Sequence, residues 1–376
     1  MIDLRLSIED RKPSHTSRHR QMTAPATANS APTALVTIPD IAKRAGVGTA
    51  TVDRVLNGRP GVNSETTKKV MQAVADLGTP PVVRGRPKKQ QNFRFAYVLP
   101  DDHTQFIDLV ERLIAQQAGE FRHQNITEVT YCFNASDPER FARDLQQVED
   151  CEGIAILAPD LPAVKQAINE KVRAGVHVVT LLSDVGGSIR EVYVGPDNRA
   201  AGRTAGLLLA RMCGDATKDT LLVLSHATRL SSEIDRRVGF TQIIEDDFKH
   251  LRIVRTPELP MDDDGTYKVL MKFFQTEMNP VRLAGIYSSG STYTAGVVRA
   301  LNELAMKQKP GFVVHDLTDI HQTLLSRGDL SYVLDQDNQY CISTAAKVLR
   351  ALCENVRGAI QIVKPRIEIL TAENYH

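Results

Sequence analysis

The sequence predicts a two-lobed α/β domain that is preceded by a small, all-α helix-turn-helix domain. From residue 93 onward, short β-rich apolar runs alternate with amphipathic helical stretches, and this alternation is typical of a parallel, doubly wound sheet. The runs number ten, which is too many for one ordinary sheet, so two α/β lobes are expected. Residues 36–78 instead carry three short helical patterns, and residues 79–92 form a break rich in Pro, Gly, Lys and Arg.

Charge is distributed unevenly along the 376 residues, a length that favours two or three folding units. Residues 1–92 contain 15 Lys and Arg against 7 Asp and Glu, whereas the remainder contains 31 against 38, so the net charge of +1 hides a basic start and an acidic body. A basic head on an acidic carrier suits binding to nucleic acid. A solvated basic tail would have the same charge layout, so charge alone leaves both interpretations open.

The five cysteines are scattered, and none forms a Cys-x-x-Cys pair, so we interpret them as buried thiols of a reducing compartment. The N-terminus lacks an apolar signal-peptide core, and no run approaches the roughly 18 apolar residues of a membrane helix. We therefore expect a cytoplasmic chain with no membrane segment, metal site or cofactor.

Four segments are expected along the chain. They are a disordered arm at 1–34, the helix-turn-helix domain at 35–79, a basic linker at 80–92 and the two-lobed domain at 93–376. In the small domain, Thr37 can cap a first helix, and Gly46 and Gly48 flank the apolar Val47 in the turn that follows. Residues 49–56 then form a second helix, and a third helix follows residue 63.

The second helix of such a unit enters the DNA major groove with its N-terminus first. That end presents Thr49 and Ala50, and Arg54 follows one turn later, where its guanidinium can bond guanine O6 and N7. Hydroxyl, amide and backbone N–H groups suit contacts with phosphates. The side chains expected in that role are those of Thr37, Thr51 and Asn57.

The whole string VTIPDIAKRAGVGTATVDRVLNGRPGVNSETTKKVMQAVADLG closely resembles the head of the LacI/GalR family of bacterial regulators. The resemblance implies that Thr49, Ala50 and Arg54 read bases. This chain departs from the family at Gly48, where a capping Ser is usual, and at Asp53, where a Ser is common. Thr49 and Ala50 are also small, which favours contact with thymine methyl groups, and Lys43 or Arg44 is a candidate partner for Asp53.

The linker differs from the leucine-bearing hinge helix that the family usually has. Gly85 and Lys88 stand at the positions of the usual Ala and Leu, so a leucine wedge in the minor groove is not expected. Arg84 and Arg86 flank Gly85 in a segment that resembles an AT-hook core, whose extended form is narrow enough for an A·T minor groove. A solvated basic linker is the alternative.

The two-lobed domain resembles the type I periplasmic sugar-binding-protein fold that the family uses as its sensor. Residues 193–202 are similar to a lobe-crossing segment, and residues 232–240 are similar to an effector-contacting loop. The resemblance implies effector-binding roles for residues that follow predicted strands or lie in that loop: Asp101, Asp102, Phe106, Asp160, Arg236, Ser288, Ser289, Asp316 and Gln336. Two alternatives stay open here, because Arg236 could form a surface ion pair and Asp160 could cap the helix that starts near Leu161.

Carboxylate, guanidinium and amide groups pair with vicinal hydroxyls, and an aromatic ring covers the apolar face of a sugar. We therefore expect a homodimeric regulator, in the first place a repressor, that binds a pseudo-palindromic operator. A sugar- or polyol-like effector between the lobes would change its affinity for DNA. An enzyme is the first alternative, although the chain has no Gly-x-Ser-x-Gly, Walker or Gly-x-Gly-x-x-Gly motif. A transport binding protein is the second, although no signal peptide is expected.

Overall fold

A computed structural model describes residues 36–56, 60–77, 92–102, 104–121, 125–214, 218–226, 230–290, 293–304, 306, 309–356 and 362–375. They fall into two compact units, one within residues 1–89 and one within residues 90–376. The predicted arm at 1–34, most of the predicted linker and the predicted DNA contacts Asn57, Arg84 and Arg86 lie outside the described residues.

Three helices form the first unit, which we call the head. They are α1 (Ile38–Ala45), α2 (Thr49–Leu56) and α3 (Ser64–Asp76). Gly46 ends α1 with a φ of 67°, in the left-handed region that glycine adopts without steric cost. The Asn63 side chain accepts the N–H of Thr66 at 2.8 Å and so begins α3. Ile41, Val52 and Val70, one from each helix, are fully buried and hold the three helices together.

The second unit, the body, contains two sheets, and this confirms the predicted two-lobed α/β architecture. The first lobe has a five-stranded parallel sheet in the order β2-β1-β3-β4-β5. Its strands are β1 (Phe93–Pro100), β2 (Ile126–Phe133), β3 (Gly153–Ile156), β4 (His177–Leu181) and β5 (Val192–Val194). Its helices include α4 (Gln105–Phe121), α5 (Pro138–Gln146) and α6 (Pro162–Arg173).

The second lobe has a six-stranded sheet in the order β11-β10-β9-β8-β6-β7, in which β11 alone pairs antiparallel. Its strands are β6 (Thr220–His226), β7 (Arg252–Leu259), β8 (Leu283–Tyr287), β9 (Gly311–His315), β10 (Tyr332–Asp335) and β11 (Glu368–Leu370). Its helices are α7 (Asn198–Met212), α8 (Ser231–Asp247), α9 (Asp263–Thr276), α10 (Thr294–Glu303) and α11 (Asp319–Ser326). A 3₁₀ turn (Pro280–Arg282) precedes β8.

Traced through its described helices and strands, the chain crosses between the lobes three times. It leaves the first lobe between β5 and α7, and it returns after β10 as α12 (Asn338–Cys353). Ile342 and Ala345 of α12 are fully buried in the core of the first lobe. Helix α12 therefore belongs to the lobe in which the body begins, and the chain then crosses back to form β11.

Both faces of each sheet are covered by helices, as apolar parallel strands require. Tyr97 and Phe95 of β1 lie in the core beneath α4 and α12, while Ile154 and Ile156 of β3 belong to the core that also contains residues of α5 and α6. Within the described parts of the chain, no helix is long and apolar enough to cross a membrane.

Candidate ligand cavity and nucleic-acid interface

A cavity of about 260 Å³ opens where the carboxyl ends of strands from both sheets meet. In doubly wound sheets this edge is the usual place for a ligand, because loops that follow neighbouring strands converge there. The lining includes residues that follow β1, β2, β3, β4, β6, β8, β9 and β10, together with the first two turns of α8.

The floor of the cavity is a buried polar cluster formed by Arg236, Asp316 and Gln336, which we call the polar floor. Each of these side chains is between 2% and 3% exposed. The Arg236 guanidinium lies 3.5 Å from the Asp316 carboxylate, and the Gln336 amide nitrogen donates to the same carboxylate at 2.5 Å. Arg236 also donates to the Asn198 side chain at 2.8 Å and to the backbone carbonyl of Ser289 at 3.1 Å.

Burial dominates the electrostatics of the polar floor. It raises the pKa of Asp316 to about 6, because the charged carboxylate loses its hydration, and the nearby Arg236 charge opposes this only in part. The Gln336 side-chain oxygen is buried and has no hydrogen-bond partner among the described residues. The polar floor therefore retains an acceptor that a ligand hydroxyl can satisfy.

Local backbone structure holds Asp316 in place. Its φ of 64° puts it in the left-handed region, which Asp tolerates better than most residues. Its N–H donates to the carbonyl of Leu334 at 3.0 Å, and the next N–H, that of Leu317, donates to the Asp335 carboxylate at 3.0 Å. The turn after β9 is thus tied to the end of β10, and Gln336 directly follows that strand.

Apolar and aromatic side chains form the walls above the polar floor. Phe106 of α4 contributes one ring, and Tyr293, at the start of α10, contributes another. The wall also contains apolar side chains from both lobes, among them Leu157, Leu182 and Leu230. This combination of rings with a few fixed polar groups suits a small hydroxylated molecule that has an apolar face.

His226 also lines the cavity, although it is not among the predicted effector residues. Its ring lies 6.0 Å from the Tyr293 ring, and both of its ring nitrogens lack hydrogen-bond partners among the described residues. Burial, with a smaller contribution from the Arg237 charge, lowers the pKa of His226 to about 4, so the imidazole is neutral at pH 7. Its position at the carboxyl end of a predicted strand was the signal that could have identified it.

Five of the nine predicted effector residues line the cavity: Asp102, Phe106, Arg236, Asp316 and Gln336. Arg236 does not form a surface ion pair, because its partners are internal and it is 3% exposed. Whether these side chains contact an effector stays a prediction.

The other four predicted residues are not among those that line the cavity. Ser288 and Ser289 are both buried. The Ser288 hydroxyl donates to the Gly290 carbonyl, and the Ser289 backbone carbonyl accepts a hydrogen bond from Arg236. Asp101 is exposed. Asp160 lies 3.9 Å from Lys165, and it does not cap α6, whose N-cap residue is Leu161.

The segment predicted as an effector-contacting loop, residues 232–240, is helical. It lies in α8, which begins at Ser231. The helix brings Ser232, Glu233 and Arg236 into the cavity lining from its first two turns.

On the head, Thr49, Ala50 and Arg54 are exposed on one side of α2, and Thr51 is half-buried. The chain therefore presents the three predicted base-reading side chains together, at and one turn beyond the start of this helix. The backbone N–H of Thr51 donates to the carbonyl of Gly48 at 2.9 Å, so Gly48 begins α2 without a capping side chain.

Two contacts of charged side chains on the head differ from those predicted from the sequence, in which Thr37 caps α1 and Lys43 or Arg44 pairs with Asp53. The N–H and the hydroxyl of Thr37 both donate to the Asp40 carboxylate, at 2.9 and 2.5 Å, so Asp40 serves as the hydrogen-bond acceptor at the start of α1. These hydrogen bonds lower the pKa of Asp40. Arg44, a candidate partner for Asp53, pairs instead with Asp76 at 3.0 Å and ties α1 to α3.

Comparisons with known proteins cover both units. Residues 95–356 match the family model described as "Periplasmic binding protein domain", and residues 37–81 match "Bacterial regulatory proteins, lacI family". The transcriptional regulator RegA of Clostridium saccharobutylicum is 42% identical over 76 residues, which cover 20% of this chain and only 23% of that protein. The ribose operon repressor of Halalkalibacterium halodurans is 24% identical over 315 residues, which cover 79% of this chain and 88% of that protein.

A solute-binding protein of an ABC transporter from Burkholderia graminis, solved in complex with D-arabinose, shares the fold of the body. The two superpose with a TM-score of 0.67 at 18% identity, over 76% of this chain and 98% of the other. The family models match the helical head and most of the two-lobed body, and the curated relatives are transcriptional regulators. The chain therefore belongs to the LacI family of bacterial transcriptional regulators and combines a helix-turn-helix head with a periplasmic-binding-protein-like domain.

Proposed function

We propose that the protein is a repressor whose affinity for operator DNA is controlled by a small sugar- or polyol-like effector bound in the cavity between the lobes. The observation that carries this proposal is the polar floor, in which Arg236, Asp316 and Gln336 are buried beneath a wall of aromatic and apolar side chains. Carboxylate and amide groups bind vicinal hydroxyls when they are buried and their acceptor oxygens face the ligand. The names of the ribose operon repressor and of the D-arabinose complex support a ligand of this class.

The polar floor also contacts the first two of the three lobe crossings, which suits a switch. Arg236 donates to Asn198, the first residue of α7 after the first crossing, and the Asn198 amide donates to the Tyr193 hydroxyl of the first lobe at 3.0 Å. Gln336 lies on the second crossing, between β10 and α12. A ligand that changes the position of Arg236 or Gln336 acts on the segments about which the lobes move.

For the head, we propose that a homodimer in the cytoplasm places two copies of α2 on a pseudo-palindromic operator. Arg54 reads a guanine, and Thr49 and Ala50 contact thymine methyl groups. Thr37, Thr51 and Asn57 contact phosphates, and Arg84 and Arg86 add salt-dependent affinity, with a minor-groove contact where the sequence is A·T-rich.

The test begins with selection of high-affinity duplexes from a random DNA library by the full chain, followed by anisotropy titration of the selected site. Arg54→Ala is expected to relax specificity at one base position, at a cost of about 1–3 kcal/mol. A thermal-shift screen of pentoses, hexoses and polyols then identifies compounds that stabilise the protein, and the same compounds are added to the titration. We expect a stabilising compound to change operator affinity about fivefold or more.

Phe106→Ala tests the effector half of the proposal. Loss of the ring that covers the sugar should weaken binding of the stabilising compound about tenfold, whereas Phe248→Ala, outside the cavity lining, serves as the matched aromatic control. If no sugar or polyol stabilises the full chain, or if Phe106→Ala and Phe248→Ala bind the compound equally well, the effector site is elsewhere.

A further inference from the structure

Helix α8 begins at the cavity without a capping side chain at its N-cap position. Its N-cap residue is Leu230, whose side chain cannot accept a hydrogen bond, and the helix starts at Ser231. The first N–H groups of a helix have no partner within the helix, and a Ser, Thr, Asp or Asn at the N-cap is the usual source of an acceptor. The start of α8 therefore depends on acceptors outside its N-cap side chain.

The first lobe supplies such an acceptor. Ser183 follows β4, and its hydroxyl oxygen accepts the N–H of Ser232, the second residue of α8, at 3.2 Å. Both serines are buried, so solvent has little access to this N–H. An N-cap side chain accepts the N–H of the second or third helical residue. Ser183 thus does for α8 what a cap residue does, but from the other lobe.

The hydroxyl protons around this cap have one consistent arrangement. The Ser231 hydroxyl donates to the Asp184 carbonyl at 2.6 Å, and the hydroxyl oxygens of Ser183 and Ser231 lie 3.1 Å apart. Because the single hydroxyl proton of Ser231 is directed to the Asp184 carbonyl, Ser183 is the donor between the two serines. The Ser183 hydroxyl therefore donates to the first residue of α8 and accepts from the second.

Contacts within the first lobe hold this segment in place. The N–H of Leu182 donates to the Val194 carbonyl at 2.9 Å, and Arg190 forms an ion pair with the Asp184 carboxylate. Leu182 has a φ of 60°, a left-handed conformation that is unusual for a bulky side chain and persists only where the surrounding structure enforces it. This turn directly follows β4 and places Ser183 against the start of α8.

The capped end of α8 is also part of the cavity. Ser232, Glu233 and Arg236 line the cavity from the first two turns of this helix. Arg236 lies four residues, about one helical turn, after the residue that Ser183 caps. The helix start that uses the first-lobe cap therefore leads directly to the guanidinium of the polar floor. When the lobes separate, the hydrogen bond between Ser183 and Ser232 breaks, and α8 loses this cap.

We propose that Ser183 is a positioning residue that caps α8 from the first lobe, so that docking of the lobes completes the second-lobe wall of the cavity. In the separated arrangement the first turn of α8 frays, and docking restores both the helix and the position of Arg236. Effector binding and lobe docking are then coupled through one helix start. The coupling rests on the proposed function, whereas the cap itself is measured without an effector.

Hydrogen exchange tests the cap on the full chain with no added compound. In Ser183→Ala, the amide protons of residues 231–236 should exchange about tenfold faster than in the wild type, because the N–H of Ser232 loses its acceptor. Ser188→Ala is the matched control, since Ser188 is also buried and its hydroxyl donates to the Val185 carbonyl within the first lobe. Equal exchange of residues 231–236 in the two variants would overturn the cap.

A cap placed in the helix's own segment should replace Ser183. Leu230→Ser introduces a hydroxyl at the N-cap of α8, whereas Leu230→Ala shortens the same side chain without one. We expect Ser183→Ala to speed exchange at the start of α8 about tenfold in the Leu230→Ala background, but at most about threefold in the Leu230→Ser background. A general loss of packing at Ser183 would act equally in both backgrounds, and that result would also overturn the cap.

Calorimetric titration with D-ribose, D-arabinose and D-galactose tests the link between the cap and the cavity. For a sugar that binds the wild type, Ser183→Ala should weaken binding about tenfold, and Ser188→Ala should leave the affinity unchanged. Wild-type affinity in Ser183→Ala would overturn the link, although the proposed function would stand. If none of the sugars binds the wild type, the proposed function fails instead, and the exchange measurements decide on the cap alone.

Discussion

Asp316 is the residue whose ionisation most affects the polar floor. Its carboxylate is 2% exposed, and burial raises its pKa to about 6 from 3.8. An acid with a raised pKa in the folded state stabilises the fold below its unfolded pKa, and this stabilisation is lost as the pH rises through the folded pKa. The relevant window therefore runs from about pH 4 to about pH 6.

Asp316→Asn removes this pH dependence. Relative to the wild type, the free energy of unfolding of the variant should rise by roughly 3 kcal/mol between pH 4 and pH 7, as measured by urea unfolding at several pH values. The lowered pKa values of His226 and His321 act in the opposite direction, but these residues are common to both proteins and cancel in the difference. Asp160→Asn, at a carboxylate that is 31% exposed, is the control. A difference that stays constant from pH 4 to pH 7 would contradict the raised pKa.

At the scale of elements, the crossing of α7 and α8 fixes the position of Arg236. The helices touch through glycines, so that a Cβ on Gly202 would lie 1.8 Å from the Arg236 carbonyl oxygen and a Cβ on Gly239 would lie 2.0 Å from that of Arg199. Both obstacles are backbone atoms, so neither can give way by a change of rotamer. The close approach is what lets Arg236 reach Asn198.

Gly239→Ala should force the two helices apart and destabilise the body by about 1–3 kcal/mol. Because Arg236 shifts with α8, binding of the stabilising sugar should weaken as well. The measurements are urea unfolding and calorimetric titration. Gly214→Ala is the control, since nothing lies within 4 Å of its added Cβ. Equal stability and affinity in the two variants would show that the crossing tolerates a wider separation.

At the scale of the whole body, contacts across the cleft hold the two lobes together. Arg112 of α4 contacts both carboxylate oxygens of Asp319, the first residue of α11, at 3.3 Å. One face of α4 also carries Gln105, whose side-chain oxygen accepts the N–H of Ile320 at 3.3 Å. Asp319 lies three residues after Asp316 of the polar floor, so the contact and the cavity belong to the same turn.

An exposed ion pair stabilises by at most about 1 kcal/mol, so Arg112→Ala should weaken effector binding by up to about fivefold. A double-mutant cycle with Asp319→Ala isolates the pair from the effect of Asp319 on the start of α11. The pair of Arg299 and Asp264 lies within the second lobe and is the matched control, which should show coupling in stability but none in effector affinity. Zero coupling between Arg112 and Asp319 in effector affinity would mean that this contact does not take part in lobe closure.

The sequence by itself determined the features that depend on local interactions. Helical periodicity, the turn at Gly46 and a cap at Asn63 or Ser64 predicted the head helices close to their observed bounds, with Asn63 as the observed cap, and the family resemblance is confirmed. The apolar runs predicted ten strands because strand burial leaves a signal in each segment separately. Residues that directly follow strands, such as Asp316, could be selected for the same reason.

Only the tertiary structure decided which of those residues share a cavity. Ser288 and Asp316 both follow parallel strands, yet the Ser288 hydroxyl is buried and donates to the Gly290 carbonyl, whereas Asp316 lines the cavity. Helix α12 returns to the first lobe through a crossing of the chain. The rings of His226 and Tyr293 approach each other at the cavity, although the two residues are far apart in the chain. Such contacts leave no periodicity in the sequence, so the chain specifies them only through the packing of its two lobes.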